Sequence, residues 1–92
     1  MTDATRRQVW TETVLAERQS TKDAELRYPT PDPTKPGYSN TAFSAAFEKQ
    51  AELGHTLMEK YKNAVARRYK LKRAQLDAIG VEGIKKNWPF PS

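Results

Sequence analysis

His55 is the only histidine of the chain and the natural place to look for acid–base or metal chemistry. Glu52 and Glu59 stand three residues before it and four after it, so on a helix a carboxylate could orient the imidazole. No cysteine is present, and no second histidine or carboxylate pair gives the spacing of a metal site. A lone histidine between Gly54 and Thr56 reads as a solvated surface residue. Glu48 beside Lys49, and Glu59 beside Lys60 and Lys62, read as ordinary solvated charge. The patterns G-x-x-x-x-G-K, G-x-G-x-x-G, H-E-x-x-H and G-x-S-x-G do not occur. The expectation is a chain that is not an enzyme, with no catalytic residue, cofactor, metal or small-molecule substrate.

The strongest chemical signal is electrostatic. Lys60, Lys62, Arg67, Arg68, Lys70, Lys72 and Arg73 place seven positive charges between residues 60 and 73, with no acid among them. Elsewhere the two signs are mixed, and the net charge is +5. The run predicts an acidic partner rather than a merely soluble face. Protein, RNA and an anionic membrane surface all meet that description. Tyr61 and Tyr69 interleave the bases, as nucleic-acid contact would require, but no base-reading motif accompanies them. The apolar face beside the run is too thin for a membrane-surface helix.

These residues must be positioned by a chain with little to bury. Six Leu, two Ile, four Val and three Phe make 15 of 92 residues, about 16%, under the roughly 20% typical of chains that fold alone. No apolar run reaches the ~20 residues of a membrane span. The N-terminal residues, with Asp3 and Glu12 and no apolar stretch, read as neither signal nor transit peptide, which suggests a cytoplasmic chain. The expected fold is all-α and non-globular, with no independent globular domain and an isolated chain that is mostly unfolded.

Four pieces make up that expectation. Residues 1–27 hold a shorter helix, beginning near Asp3 and unbroken by Gly or Pro before Tyr28-Pro29. Residues 28–39 hold four of the six prolines and read as an extended linker of roughly 30 Å. Residues 40–80 read as one long amphipathic basic helix of about 60 Å, capped at Ser39–Thr41 and stopped by Gly80 in a Schellman turn with Val81 folding back on Leu76. Residues 81–92 form an extended aromatic tail. At 100° per residue, Phe43, Phe47, Met58, Tyr61, Val65, Tyr69, Leu76 and Ile79 fall on one stripe parallel to the helix axis. Nothing else in the chain looks large enough to cover it, so the stripe is expected to bind a partner. Arg68 and Lys72 lie within it, which suggests acidic groups on that partner. Trp10, Tyr28, Tyr38, Trp88 and Phe90 are expected to anchor the ends, although Trp88 and Phe90 could equally cap the chain's own helix.

The segment Gln75-Leu76-Asp77-Ala78-Ile79-Gly80-Val81, after a Tyr- and Arg-rich helix, resembles the ending of the long helix in small cilia- and flagella-associated microtubule inner proteins. Leu76 and Gly80-Val81 match the Leu-to-Gly spacing, while Gln75, Lys72 and Arg68 stand where Glu, Tyr and Glu are usual. The resemblance implies a structural, microtubule-binding protein in the axoneme of a cilium or flagellum. It implies tubulin and neighbouring axonemal proteins as partners in the doublet lumen, hence a cytoskeletal location. RNA of a ribosome or other ribonucleoprotein is the alternative partner of the basic run, and a supernumerary subunit of a membrane enzyme complex is the third reading.

Overall fold

A computed structural model describes all residues, Met1–Ser92. It is all-helical, with α1 at Asp3–Arg27, α2 at Asn40–Arg68 and α3 at Arg73–Lys85. Helix α1 opens on Thr2, whose hydroxyl accepts the Thr5 N–H, and carries Asp3 in its first turn. Pro29 has no N–H to continue it. The proline-rich segment is not one extended strut. Asp32 accepts both the N–H and the hydroxyl of Thr34, Lys35 N–H bonds back to Asp32 O, and Gly37 sits at φ +85°. These turns reverse the chain, and α2 begins at Ser39, which caps the Ala42 N–H. Gln50 Nε2 donates to Tyr28 O at 2.5 Å, Tyr61 to Asp23 at 2.6 Å, and Lys62 pairs with Glu17 at 2.6 Å. Residues of α1 and α2 therefore meet in reverse order, as an antiparallel hairpin.

The single helix expected over 40–80 is two helices. After Arg68 the chain turns, with Lys70 at φ +56°, and Leu71 N–H reaches back to Ala66 O at 2.8 Å. That six-to-one bond is the signature of a Schellman stop, ten residues before the glycine that looked suited to one. A left-handed non-glycine residue costs about 1–2 kcal/mol. Turning here folds Leu76 and Ile79 onto α1 and brings Trp88 within reach, and each large side chain so buried contributes about 1.5–3 kcal/mol. Burial outweighs the strain. Helix α3 then runs through Gly80 to Lys85, and its own stop lies at Asn87 (φ +53°), where Trp88 N–H bonds to Gly83 O at 2.9 Å. Asparagine tolerates that conformation better than other side chains. Residues 81–85 of the expected tail are thus helical.

A small core lies where the three helices meet. Val9, Trp10, Val65, Ala66, Leu76, Ile79 and Trp88 are buried together, with Val14, Ala16, Tyr69 and Leu71 packed around them. The composition pointed to a mostly unfolded chain lacking a core of its own; the structure has a core, built from α1, the end of α2, α3 and the tail. Beyond it, residues 18–27 of α1 and 40–58 of α2 project as a two-helix arm, in which only Ser20 and Ala24 are fully buried. The molecule is correspondingly long, 55 × 23 × 17 Å, with a radius of gyration of 16.5 Å against about 12 Å for a compact chain of this length.

Candidate interaction surface

The apolar stripe is largely occupied by the chain itself. Val65, Leu76 and Ile79 are core residues, and Met58, Tyr61 and Tyr69 are half-buried beside α1 or the core. Phe43 and Phe47 stack with ring centres 6.4 Å apart, and Phe43 also meets Tyr38 at 6.4 Å. Of the eight, only Phe47 is exposed. Because α2 ends at Arg68, Leu76 and Ile79 do not continue its stripe along one axis; they reach the same core by folding back. The aromatic anchors also turn inward, except Phe90, which is 67% exposed. Trp10 (3% exposed) meets Trp88 edge-on at 6.1 Å and Phe90 at 5.2 Å, while Tyr28 is covered by Arg27 and Lys49 cations 4.8 and 5.6 Å from its ring centre. Arg18 donates to Pro91 O at 2.6 Å, which ties the tail along α1.

The basic run divides into two sets. Lys62 pairs with Glu17, and Arg68 pairs with Glu12 at 2.7 Å, while the Tyr69 hydroxyl donates to the other oxygen of Glu12. The acidic group opposite Arg68, expected on a partner, is therefore supplied by α1. Arg73 joins α3 to α2 by donating to Glu59 at 2.5 Å and Asn63 at 3.2 Å, and it also pairs with Asp77 at 2.9 Å. Lys60, Arg67, Lys70 and Lys72 make no ion pair and are exposed, three of them clustered where α2 turns into α3. Sequence alone counts seven equal charges. Distinguishing the two sets requires knowing that α1 packs on α2.

Titration reflects the internal pairs. The hydrogen bond from Arg73 holds Glu59 below the usual carboxylate range and raises Arg73 in turn. The Tyr61 hydroxyl, helped by Gln19, lowers Asp23, and Asp23 raises Tyr61. Glu12 likewise raises Tyr69, mainly through their hydrogen bond. Glu82 is lowered first by its hydrogen bond from Lys86 and also by Arg6, whose guanidinium ties α1 to α3 at 3.0 Å.

His55 is exposed and lines a shallow groove of about 390 Å³ between the arm helices, with Ser20, Thr21, Glu25 and Met58 among its walls. The Ser20 hydroxyl there is committed to Glu17 O at 2.7 Å. No group of three or more His, Asp or Glu side chains converges anywhere in the chain, and no helix is long and apolar enough to cross a membrane. Comparison with known proteins finds no matching family model and no similar curated protein or solved structure.

Proposed function

We propose that this chain is a non-enzymatic structural component of a larger assembly, docking through the α2–α3 corner onto an acidic protein surface. The observation that carries the reading is the part of the 60–73 basic run left without an ion pair, which, unlike the other unpaired cations of the chain, clusters at one corner. Lys60, Arg67, Lys70 and Lys72 remain exposed and unpaired although acids elsewhere in the chain neutralise their neighbours. The turn that displays Lys70 also holds it in a left-handed conformation, which fixes the direction in which the backbone presents the charge. The leading candidate for that surface is the tubulin lattice inside doublet microtubules of a cilium or flagellum, where the resemblance around Leu76 to Val81 points; neighbouring axonemal proteins would complete the site. Support from that resemblance is limited to sequence, because the chain continues as helix through Gly80 instead of ending there. RNA is the less favoured partner: Tyr61 and Tyr69, the rings that would stack on bases, are half-buried with their hydroxyls committed to Asp23 and Glu12.

Co-assembly separates these readings. Tubulin polymerised in the presence of the chain should carry it into the pellet, while addition to finished microtubules, whose lumen is hard to reach, should recover little. Replacing Arg67, Lys70 and Lys72 together by glutamine should abolish co-pelleting and leave helix content unchanged. Absence from the pellet under both regimes would overturn the tubulin reading. RNA binding that falls steeply with salt would put a ribonucleoprotein in its place.

A further inference from the structure

The stretch 60–73 has no acid of its own, and the two acids that bound it, Glu59 and Asp77, both bind Arg73. Every nitrogen of that guanidinium is engaged. Nη1 and Nη2 donate to the two carboxylate oxygens of Glu59 at 2.5 and 3.2 Å, Nη1 also reaches Asn63 Oδ1 at 3.2 Å, and Nε meets Asp77 at 2.9 Å. A forked bond of this kind fixes direction as well as distance, which a lysine ammonium does not. Glu59 and Asn63 stand on α2 and Arg73 opens α3, and these are the polar side-chain contacts that join the two helices.

Around the corner, held and free residues alternate. Tyr69 is tied to Glu12 of α1, Leu71 packs on the core and the Arg73 side chain is 28% exposed in its clamp, whereas Lys70 and Lys72 between them are exposed. The backbone is equally committed. The N–H groups of Tyr69, Lys70 and Leu71 bond back to Val65, Arg67 and Ala66, and that of Lys72 donates to the Gln75 side chain at 2.8 Å. Burial of Leu76 and Ile79 makes the chain turn, but burial is non-directional. The left-handed Lys70 persists only where its surroundings over-determine it, and the Arg73 fork supplies the missing direction. Glu59 and Asp77 also set negative charge among Lys60, Arg67, Lys70 and Lys72, which repel one another.

We infer that Arg73 is not one of the cations that meet a partner but the positioning residue of the corner. Its bond to Glu59 sets the angle at which α3 leaves α2, and so the spacing of Arg67, at the end of α2, from Lys70 and Lys72. The consequence for docking rests on the acidic-partner reading above. Charge and geometry then predict opposite signs for one substitution. Removing Glu59 raises the net charge of +5 by one unit, which strengthens binding to an acidic surface if charge alone decides and weakens it if the clamp decides.

Three variants of the full chain test this, read by amide exchange of the free chain and by co-pelleting with tubulin polymerised in its presence. Glu59→Ala preserves helix propensity and cuts the clamp. The Leu71 N–H, whose bond to Ala66 O closes the turn, should then exchange about threefold faster while amides at Val9–Thr13 keep their rates, and the apparent affinity for tubulin should fall by a similar factor. Asp77→Ala makes the same change of charge within α3 and leaves the Glu59 fork in place, so it should keep the Leu71 rate and pellet as well as the unaltered chain or better. Arg73→Lys keeps every charge, loses the fork and should follow Glu59→Ala. Unchanged Leu71 exchange in both Glu59→Ala and Arg73→Lys would overturn the clamp, and faster exchange with stronger co-pelleting would overturn its consequence for docking. An unaltered chain that never enters the pellet counts against tubulin and not against the clamp, which the exchange of Leu71 decides by itself.

Discussion

Gly83→Ala provides a test of packing in which simple propensity and structure predict opposite signs. Gly83 sits in α3 against the Trp10 indole, and an added Cβ would lie 2.0 Å from Nε1, 2.2 Å from Cδ1 and 2.5 Å from Cε2. Helix propensity alone favours alanine by about 1 kcal/mol. The indole cannot step aside, since Trp10 is buried between α1, α3 and the rings of Trp88 and Phe90. Overpacking of this kind costs about 1–3 kcal/mol and outweighs the propensity gain where three ring atoms are met at once. The net loss, up to about 2 kcal/mol, lowers Tm by as much as roughly 8–16 °C in a domain of this size. Gly80→Ala is the internal comparison. It lies in the same helix at an ordinary negative φ with nothing within 4 Å of its would-be Cβ, so it should gain about 1 kcal/mol, or roughly 4–8 °C. Had Gly80 been the helix stop suggested by the sequence, alanine would be destabilising there. Thermal melts followed at 222 nm and by tryptophan fluorescence read both variants. Equal shifts for the two, or a stabilised Gly83→Ala, would refute the packing of α3 on Trp10.

Three further outcomes follow from the same contacts. Trp88→Ala removes a side chain only 5% exposed and should cost about 3–5 kcal/mol, enough to unfold the core end, seen as loss of the cooperative melt while residual helix persists in the circular dichroism. Stability should fall in acid: Glu59, Glu82 and Asp23 titrate below their ordinary values of 4.5, 4.5 and 3.8, so the unfolded chain binds protons first. Their contribution is complete above those ordinary values and disappears as pH drops through the lower folded ones, and Glu59→Gln should flatten that part of a Tm-against-pH curve. Lys70→Asn, which keeps a residue tolerant of positive φ, should change Tm by less than about 1 kcal/mol equivalent yet weaken binding to an acidic partner, as a salt titration of that binding would reveal.

The helical character was legible because the sequence runs long distances without Gly or Pro and places its apolar residues at helical spacing. The corner at residues 69–72 was not. Tyr-Lys-Leu-Lys contains none of the usual stop residues, and the left-handed Lys70 is imposed by burial of Leu76, Ile79 and Trp88, which is tertiary information. Gly80 misled for the converse reason. A glycine near the end of a periodic run suits a C-cap, yet nothing compels the chain to use it when Asn87 can stop the helix about two turns later. The function of the basic run was legible only as charge. Arg68 and Lys62 looked free because Glu12 and Glu17 are about fifty residues away in sequence, and the antiparallel hairpin brings them together. Thin apolar content also concealed the core, since two tryptophans and a handful of aliphatic residues suffice when they converge at one end of the hairpin.

The chain covers most of its own apolar stripe, and the proposed docking leaves partner contact to the unpaired cations at the α2–α3 corner. Hydrogen exchange of the chain, free and co-assembled with tubulin, tests it most directly. The free chain should be protected around Val9–Thr13, Val65–Ala66 and Leu76–Ile79, and co-assembly should add protection at 67–73. A free chain exchanging everywhere at the rate of an unfolded peptide, with protection on assembly spread along the stripe from Phe43 to Val65, would contradict it.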